Sequence, residues 1–351
     1  MEIRENFSLK SKTTMRIGGL ARYFSELKTK EDVEEAVRFA SERNIPLIPL
    51  GGGSNTIFAD GTIEALVVQV KYEKVEETPY GSTSFNVSPG QAFLPGAANG
   101  QTGMSGLAAA GGDQSFRRVA VKVGAGKNLP MLINELATKG LDLSPLTGIL
   151  GTIGGAVFGN AGQGPKGIWI DSFVESVEAF VEGEWKKFTK EECKFRYRES
   201  GFKDVGSSPT PACPAGRPGP SPGGRGGKPK GRSIIWEATL AVPEDKPSTI
   251  KANIEALLKK RIETQPHVKT AGSCFKAVGE TPAWQLIDSA GLRGFKVGGV
   301  EIAQKHANFL LNVGEATFSD AVAVVERVKQ ALPENLEVEM RFYLENGDLH
   351  F

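Results

Sequence analysis

Two glycine-rich runs and three short polar motifs in this chain carry residue types that could do chemistry. Pro49-Leu50-Gly51-Gly52-Gly53-Ser54-Asn55 ends an apolar stretch in three glycines and two small polar residues. Glycines without Cβ reach positive φ and let successive N–H groups face an anion, while Ser54 and Asn55 add hydrogen bonds. A plain tight turn fits the same residues. The run is neither the GxGxxG dinucleotide fingerprint nor a P-loop with Gly-Lys-Ser/Thr, so the standard nucleotide motifs do not account for it. A second run, Gly148-Ile149-Leu150-Gly151-Thr152-Ile153-Gly154-Gly155-Ala156, is followed by Gly159-Asn160-Ala161-Gly162. Two such runs favour a large ligand, because a diphosphate-bearing cofactor needs several close backbone approaches.

The polar motifs are individually ambiguous. In Tyr197-Arg198-Glu199-Ser200-Gly201-Phe202-Lys203, an arginine beside acidic neighbours is either a surface ion pair or a planar fork held against a carboxylate or phosphate. Gly272-Ser273-Cys274-Phe275-Lys276 presents a hydroxyl on a turn of small residues. No histidine lies nearby in sequence to form a nucleophile–base pair, but a serine acting as proton donor needs none. Glu339 and Arg341 share the polar face of a closing strand, as a solvated edge or as a buried, paired site.

Composition bounds the chemistry. The 351 residues include 42 Lys plus Arg against 41 Asp plus Glu, so no overall field should hold the chain on nucleic acid or an anionic membrane. The N-terminus has no apolar h-region, and no run approaches the roughly 20 apolar residues of a membrane span, so a cytoplasmic protein is expected. Cys193, Cys213 and Cys274 are unclustered and the three histidines scattered, which indicates neither a disulfide framework nor a metal site. Redox chemistry would need a borrowed cofactor.

The elements that must position these motifs alternate at first as α/β. Ala21 to Leu27 reads as a strand, residues 30 to 43 as a helix, and Pro46 to Leu50 and Ala65 to Val70 as strands. The helix rests on Val33, Ala36, Val37 and Ala40 at i, i+3, i+4, i+7, with Thr29 and Asp32 placed as a capping box. Val119 to Val123 leads into Gly124-Ala125-Gly126 and a helix at 129 to 139, a second α/β unit. Two irregular stretches interrupt it. Residues 78 to 115 are rich in small residues, and Gly206 to Gly231 holds seven of the twenty prolines with no aromatic or acidic residue, so it cannot build a core. The remainder reads as an α+β unit with helices near 248 to 263, 281 to 290 and 317 to 331. In the strand expected at 336 to 344, Leu336, Val338, Met340, Phe342 and Leu344 alternate with Glu337, Glu339, Arg341 and Tyr343.

In order, these motifs resemble the UDP-N-acetylenolpyruvoylglucosamine reductase family of peptidoglycan synthesis. Thr14 to Tyr23, Gly51 to Asn55, Gly151 to Ala156, Asn160-Ala161-Gly162, Tyr197 to Lys203, Gly272 to Lys276, Lys305 to Phe309 with Asn312, and Leu336 to Arg341 carry the likeness. It implies an α+β fold with an FAD-binding region of the vanillyl-alcohol-oxidase/PCMH type in two α/β subdomains, 1–70 and 71–243, and a substrate domain at 244–335. A return of the closing strand, 336–351, to the first subdomain is left open. It implies noncovalent FAD and NADPH as hydride donor, with hydride passing from reduced flavin to the enolpyruvyl β-carbon. Ser273 matches the proton donor to the α-carbon, and Arg198 with Glu339 the pair stabilising the enolate-like intermediate. Gly51, Gly52, Gly53, Ser54, Asn55, Gly148, Gly151, Thr152, Gly154, Gly155 and Ala156 would contact the cofactor, and Tyr197 and Lys276 the substrate, in a monomer.

The chain departs from the family where Ala277-Val278 replaces the usual Asn-Pro, where Ala303 replaces a serine, and where residues 204 to 232 lack a tyrosine. Two other readings remain: another FAD-dependent oxidoreductase of the same superfamily, and an inactive nucleotide-binding homologue. The polar motifs argue against the first and their retention against the second.

Overall fold

The computed structural model describes residues 1–79, 117–163, 167–205, 233–266, 268–332 and 336–351. Of the irregular stretch 78–115 only Thr78 and Pro79 fall within these, at the end of strand Val75–Pro79; the rest of it, and the stretch 206–231, lie outside the described residues.

The first sheet runs Arg4–Ser8, Leu20–Leu27, Thr62–Val70, Leu47–Pro49 in spatial order. Its three inner pairings include two parallel ones, between Leu20–Leu27 and Thr62–Val70 and between Leu47–Pro49 and Thr62–Val70. A parallel pair needs a crossover, and helix Lys30–Glu42 supplies it. The expected capping box forms: Thr29 Oγ1 accepts from Asp32 N at 3.2 Å and Asp32 Oδ2 from Thr29 N at 3.1 Å. Val33, Ala36 and Ala40 face inward, against Leu27, Leu66, Val68 and, from the next unit, Phe180, Ile234 and Trp236.

The second sheet has five strands in the order Val75–Pro79, Arg118–Gly124, Ile234–Pro243, Val174–Val181, Glu184–Thr189, antiparallel throughout. Helix Leu129–Thr138, with Asn128 as its cap, and the short helix Ile153–Phe158 complete a core of Val121, Leu132, Ile133, Leu136, Val157, Val177 and Leu240.

A third sheet, Thr270–Ser273, Phe309–Asn312, Val300–Ile302, Lys296–Val297, is covered by helices Ala283–Ser289 and Phe318–Ala331. Its core is continuous with that of the first sheet: Phe318, Val324, Leu310 and Phe275 pack in one cluster with Phe24, Ile57 and Met15. Asn312 Nδ2 donates to the Met15 carbonyl at 2.8 Å across that junction.

The strand expected at 336 to 344 is shorter. Only Arg341–Tyr343 is regular, pairing in parallel with Thr56–Phe58 beside the first glycine run. Residues 337 to 340 are diverted to the turn after Ser273: Val338 bridges Phe275, Glu339 N donates to the Cys274 carbonyl at 2.7 Å, and Lys276 N to the Glu337 carbonyl at 2.9 Å. Leu336, Met340 and Phe342 are buried as the alternation requires. The polar face divides: Glu337 is exposed, while Glu339 and Arg341 are half-buried.

Candidate active site

A single cleft of about 2000 Å³ runs between the three sheets. Its volume is roughly twice the upper range of ordinary single-ligand sites, room for two large ligands side by side. Gly51, Gly52, Gly53, Ser54, Asn55, Gly148, Gly151, Thr152, Gly154, Gly155, Ala156, Tyr197, Arg198, Ser273 and Glu339 all line it.

The two glycine runs form one wall because their backbones touch. A Cβ on Gly52 would sit 2.7 Å from Gly151 Cα, one on Gly51 2.9 Å from Thr152 Oγ1, and one on Gly151 2.8 Å from Ser54 Oγ. Ser54 Oγ donates to the Leu150 carbonyl at 2.9 Å. Thr152 caps helix Ile153–Phe158 by accepting from Gly155 N at 3.4 Å. Only residues without a Cβ permit this approach, and the surface it leaves is bare backbone, as a diphosphate-bearing cofactor such as FAD requires. Gly53 has φ +64° and its Cβ would collide with the Lys12 carbonyl. Gly53→Ala is therefore expected to destabilise by about 2–4 kcal/mol, from left-handed strain and displaced backbone. It should also leave the purified protein with less than half its flavin. Thermal melting and flavin content after gel filtration check this; a variant equal to the wild type in both contradicts it.

Arg198 reaches the cleft from a strained loop. Its φ is +59°, and the reversal is fixed by paired backbone bonds between Arg196 and Glu199. Buried Asn160 donates to the Arg196 carbonyl at 3.0 Å, and buried Ser200 to the Phe158 carbonyl at 2.7 Å. Non-glycine residues held in this region cost on the order of 1–3 kcal/mol and persist where surroundings impose them. The guanidinium donates from Nη1 to the Gly162 carbonyl at 2.9 Å, and its Nε lies 3.4 Å from Glu339 Oε1 without a formed hydrogen bond. That Nε is buried and has no acceptor. Burial raises the Glu339 pKa, against the opposing pull of Arg198, Lys203 and Lys276. Glu339, just before the strand, and Arg341, its first residue, take different partners: Arg341 donates from Nε and Nη2 to Tyr343 Oη at 3.0 and 2.7 Å.

Ser273 ends strand Thr270–Ser273 just after Gly272, whose φ is +76°. The turn beyond it is clamped by buried Asn308, which accepts from Phe275 N at 2.9 Å and donates to the Phe275 carbonyl at 2.9 Å. With Glu339 N bonded to the Cys274 carbonyl, this staple sets Ser273 and Glu339 side by side on the cleft wall. The Ser273 hydroxyl makes no hydrogen bond among the described residues.

Lys276, in contrast, does not line the cleft. Its ammonium is held 2.6 Å from Glu199 Oε1 and 2.6 Å from Glu337 Oε1, across the junction of the second and third sheets. Burial works against its charge, but the two carboxylates outweigh it and raise its pKa.

Several cleft residues had no role assigned from sequence. Lys203 is largely buried and donates to the Arg198 carbonyl at 2.7 Å; burial, then the charges of Arg341 and Lys276, push its pKa down to about 8. His306 meets Phe309 edge to face at 4.6 Å, and burial pushes it down to about 4, so it is neutral near pH 7. Arg261 enters from helix Pro247–Thr264. A lysine within the Tyr-Arg motif was visible, and His306 lies close in sequence to its ring partner Phe309; the contact of Arg261 with Gly148 joins residues distant in sequence. Among the described residues no group of three or more His, Cys, Asp or Glu could hold a metal ion, and no helix is long and apolar enough to cross a membrane.

Comparison with known proteins shows what the chain is similar to. Residues 21–94 match the model of an FAD binding domain, and residues 265–343 that of the UDP-N-acetylenolpyruvoylglucosamine reductase C-terminal domain. The chain is 30% identical to the UDP-N-acetylenolpyruvoylglucosamine reductase of Chlamydia muridarum over 97% of its own length and 94% of the relative's. It is 28% identical to that of Moorella thermoacetica over 98% and 93%. The crystal structure of the reductase from Thermus caldophilus superposes with a TM-score of 0.66 at 27% identity, covering 97% of this chain and 98% of that one. The chain belongs to the UDP-N-acetylenolpyruvoylglucosamine reductase family.

Proposed function

We propose that the chain reduces the enolpyruvyl group of UDP-N-acetylenolpyruvoylglucosamine to the lactyl ether of UDP-N-acetylmuramate, with NADPH as donor and noncovalent FAD as the carrier, for peptidoglycan synthesis. The observation that carries this reading is the convergence of Ser273, the Arg198–Glu339 pair and both glycine runs on one cleft. When bound, FAD supplies the hydride chemistry. The bare backbone of Gly51 to Asn55 and Gly148 to Ala156 is suited to hold it, since added Cβ atoms at Gly51, Gly52 or Gly151 would force the two runs apart and one at Gly53 would strike the Lys12 carbonyl.

The protein's own groups then do three things. Arg198 takes the substrate carboxylate, with its unsatisfied Nε as one donor, and stabilises charge that grows there as the double bond is reduced. Glu339 holds the guanidinium in place without satisfying it, so the fork stays available. Ser273 Oγ gives its proton to the α-carbon, and water restores it; a weak acid suffices because the enolate-like carbon is far more basic than a hydroxyl's usual partners. The low accessibility of both Arg198 and Glu339, 16% and 14% of the side chain, keeps water from competing with these contacts.

Tyr197 packs beside Trp169 at 5.6 Å and is placed to contact the same substrate. Lys276, caged by two carboxylates, acts in this reading through the position of the Ser273 turn and not, as the resemblance implied, by touching the substrate. A monomer in the cytoplasm completes the reading, and size-exclusion chromatography checks the first part. The purified protein is expected to be yellow and to release FAD on denaturation. A colourless, folded protein that takes up no added FAD would refute the reading.

A further inference from the structure

Arg261 lines the cleft wall with a buried, unpartnered Nε, and neither the motifs nor the mechanism above has a use for it. It lies in the last turn of helix Pro247–Thr264 and projects against Gly148, where a Cβ would collide with its side chain. Nη1 donates to the Gly148 carbonyl at 2.6 Å and makes a long contact to Gln265 Oε1 at 3.4 Å. Its Nε is buried and has no acceptor, and no carboxylate lies within ion-pair distance among the described residues. Burial first, and repulsion from another cation, Arg198, second, work against its protonation. The C-terminal end of its own helix offsets part of the charge, but gives Nε no partner. A guanidinium sequestered with an unused donor is costly unless an anion arrives to share it.

What surrounds it narrows the anion. Gly148 and Gly151, at φ +80° and +119°, put open backbone at its side, and Ile149, Leu258 and Ile262 make the adjoining wall apolar. Arg198, the other cation whose charge acts here, is given by the mechanism above to the substrate carboxylate. A tetrahedral anion with several oxygens matches a planar fork next to a glycine run better than a second carboxylate does.

We propose that Arg261 is the charge partner of a diphosphate bound in this cleft. The inference rests on the reading that FAD and a nucleotide sugar bind here; both carry a diphosphate, as does NADPH, and the experiment separates them. Arg261→Met is prepared as holoenzyme and as flavin-stripped protein. FAD binding is measured by quenching of flavin fluorescence, the enolpyruvyl nucleotide by its perturbation of the bound flavin's absorbance, and NADPH by its KM. One of the three affinities is expected to fall roughly 10- to 100-fold, the range for a charge-assisted hydrogen bond, and the ligand affected is the one whose diphosphate Arg261 meets. Arg261→Lys keeps a charge but has no Nε, and is expected to weaken the same ligand about tenfold; it also serves if the Met variant does not fold. All three affinities within twofold of the wild type, in whichever variant folds, overturn the inference. A wild type that binds no FAD fails the functional reading instead, before any variant is compared.

Discussion

Ser273→Ala is expected to leave reduction of the flavin by NADPH within about twofold of the wild type, while slowing reoxidation by the enolpyruvyl nucleotide roughly 10²- to 10⁴-fold, the range a placed proton donor contributes. The separation follows from where Ser273 sits. Its backbone is held by strand pairing with Phe309 and by the Asn308 clamp on the residue after next, contacts that do not involve the hydroxyl. Removing Oγ therefore deletes a proton and leaves the wall in place. The nucleotide should still bind, because binding draws on other groups. Stopped-flow absorbance of the flavin in each half-reaction checks this, and an equal loss in both would refute the proton-donor role.

Arg198→Met should be nearly as damaging to the same half-reaction, about 10²- to 10³-fold, because it removes the donor aimed where charge develops. Its effect on stability differs from that of Ser273→Ala. Breaking a buried pair by taking one partner leaves the other charged and uncompensated, typically a loss of 3–5 kcal/mol. Glu339 is the group left behind, and burial already raises its pKa in the wild type despite Arg198. Without Arg198 that pKa rises further above its unfolded value. The folded variant then binds more protons than the unfolded chain at mildly acid pH, so its stability recovers as pH falls. The melting deficit of Arg198→Met should accordingly be largest at pH 8 and narrow toward pH 5. A deficit independent of pH would place Glu339 outside the pair's energetics.

Much of this architecture is legible locally. Helix Lys30–Glu42 was readable because its signal, the capping box with apolar residues at helical spacing, lies within one window. The two glycine runs were readable as a type of surface, since absent Cβ atoms show in sequence even when the partner backbone does not. The pairings were not. Which carboxylate meets Arg198 depends on residues 337 to 340 leaving the expected strand to clip the Ser273 turn, a compromise between ladder pairing with Thr56–Phe58 and the bonds to Cys274 and Lys276. The antiparallel order of the second sheet is likewise set by long-range pairing, which a local alternation of strand and helix does not specify. Lys276 shows the same limit: its place after Gly-Ser-Cys-Phe is visible in the sequence, but Glu199 and Glu337, which enclose it, arrive from two other segments. Arg261 had no signal, because its neighbours Gly148 and Arg198 lie far away along the chain.

The central claim is that Ser273, Arg198 and Glu339 finish a reaction for which the flavin supplies hydride. Its most direct measurement mixes anaerobic, NADPH-reduced wild-type protein with UDP-N-acetylenolpyruvoylglucosamine and follows the flavin absorbance. Recovery of the oxidised flavin spectrum is expected in step with formation of UDP-N-acetylmuramate, one product per flavin reoxidised. A reduced flavin that stays reduced in the presence of the nucleotide, yet reoxidises normally in air, would contradict it.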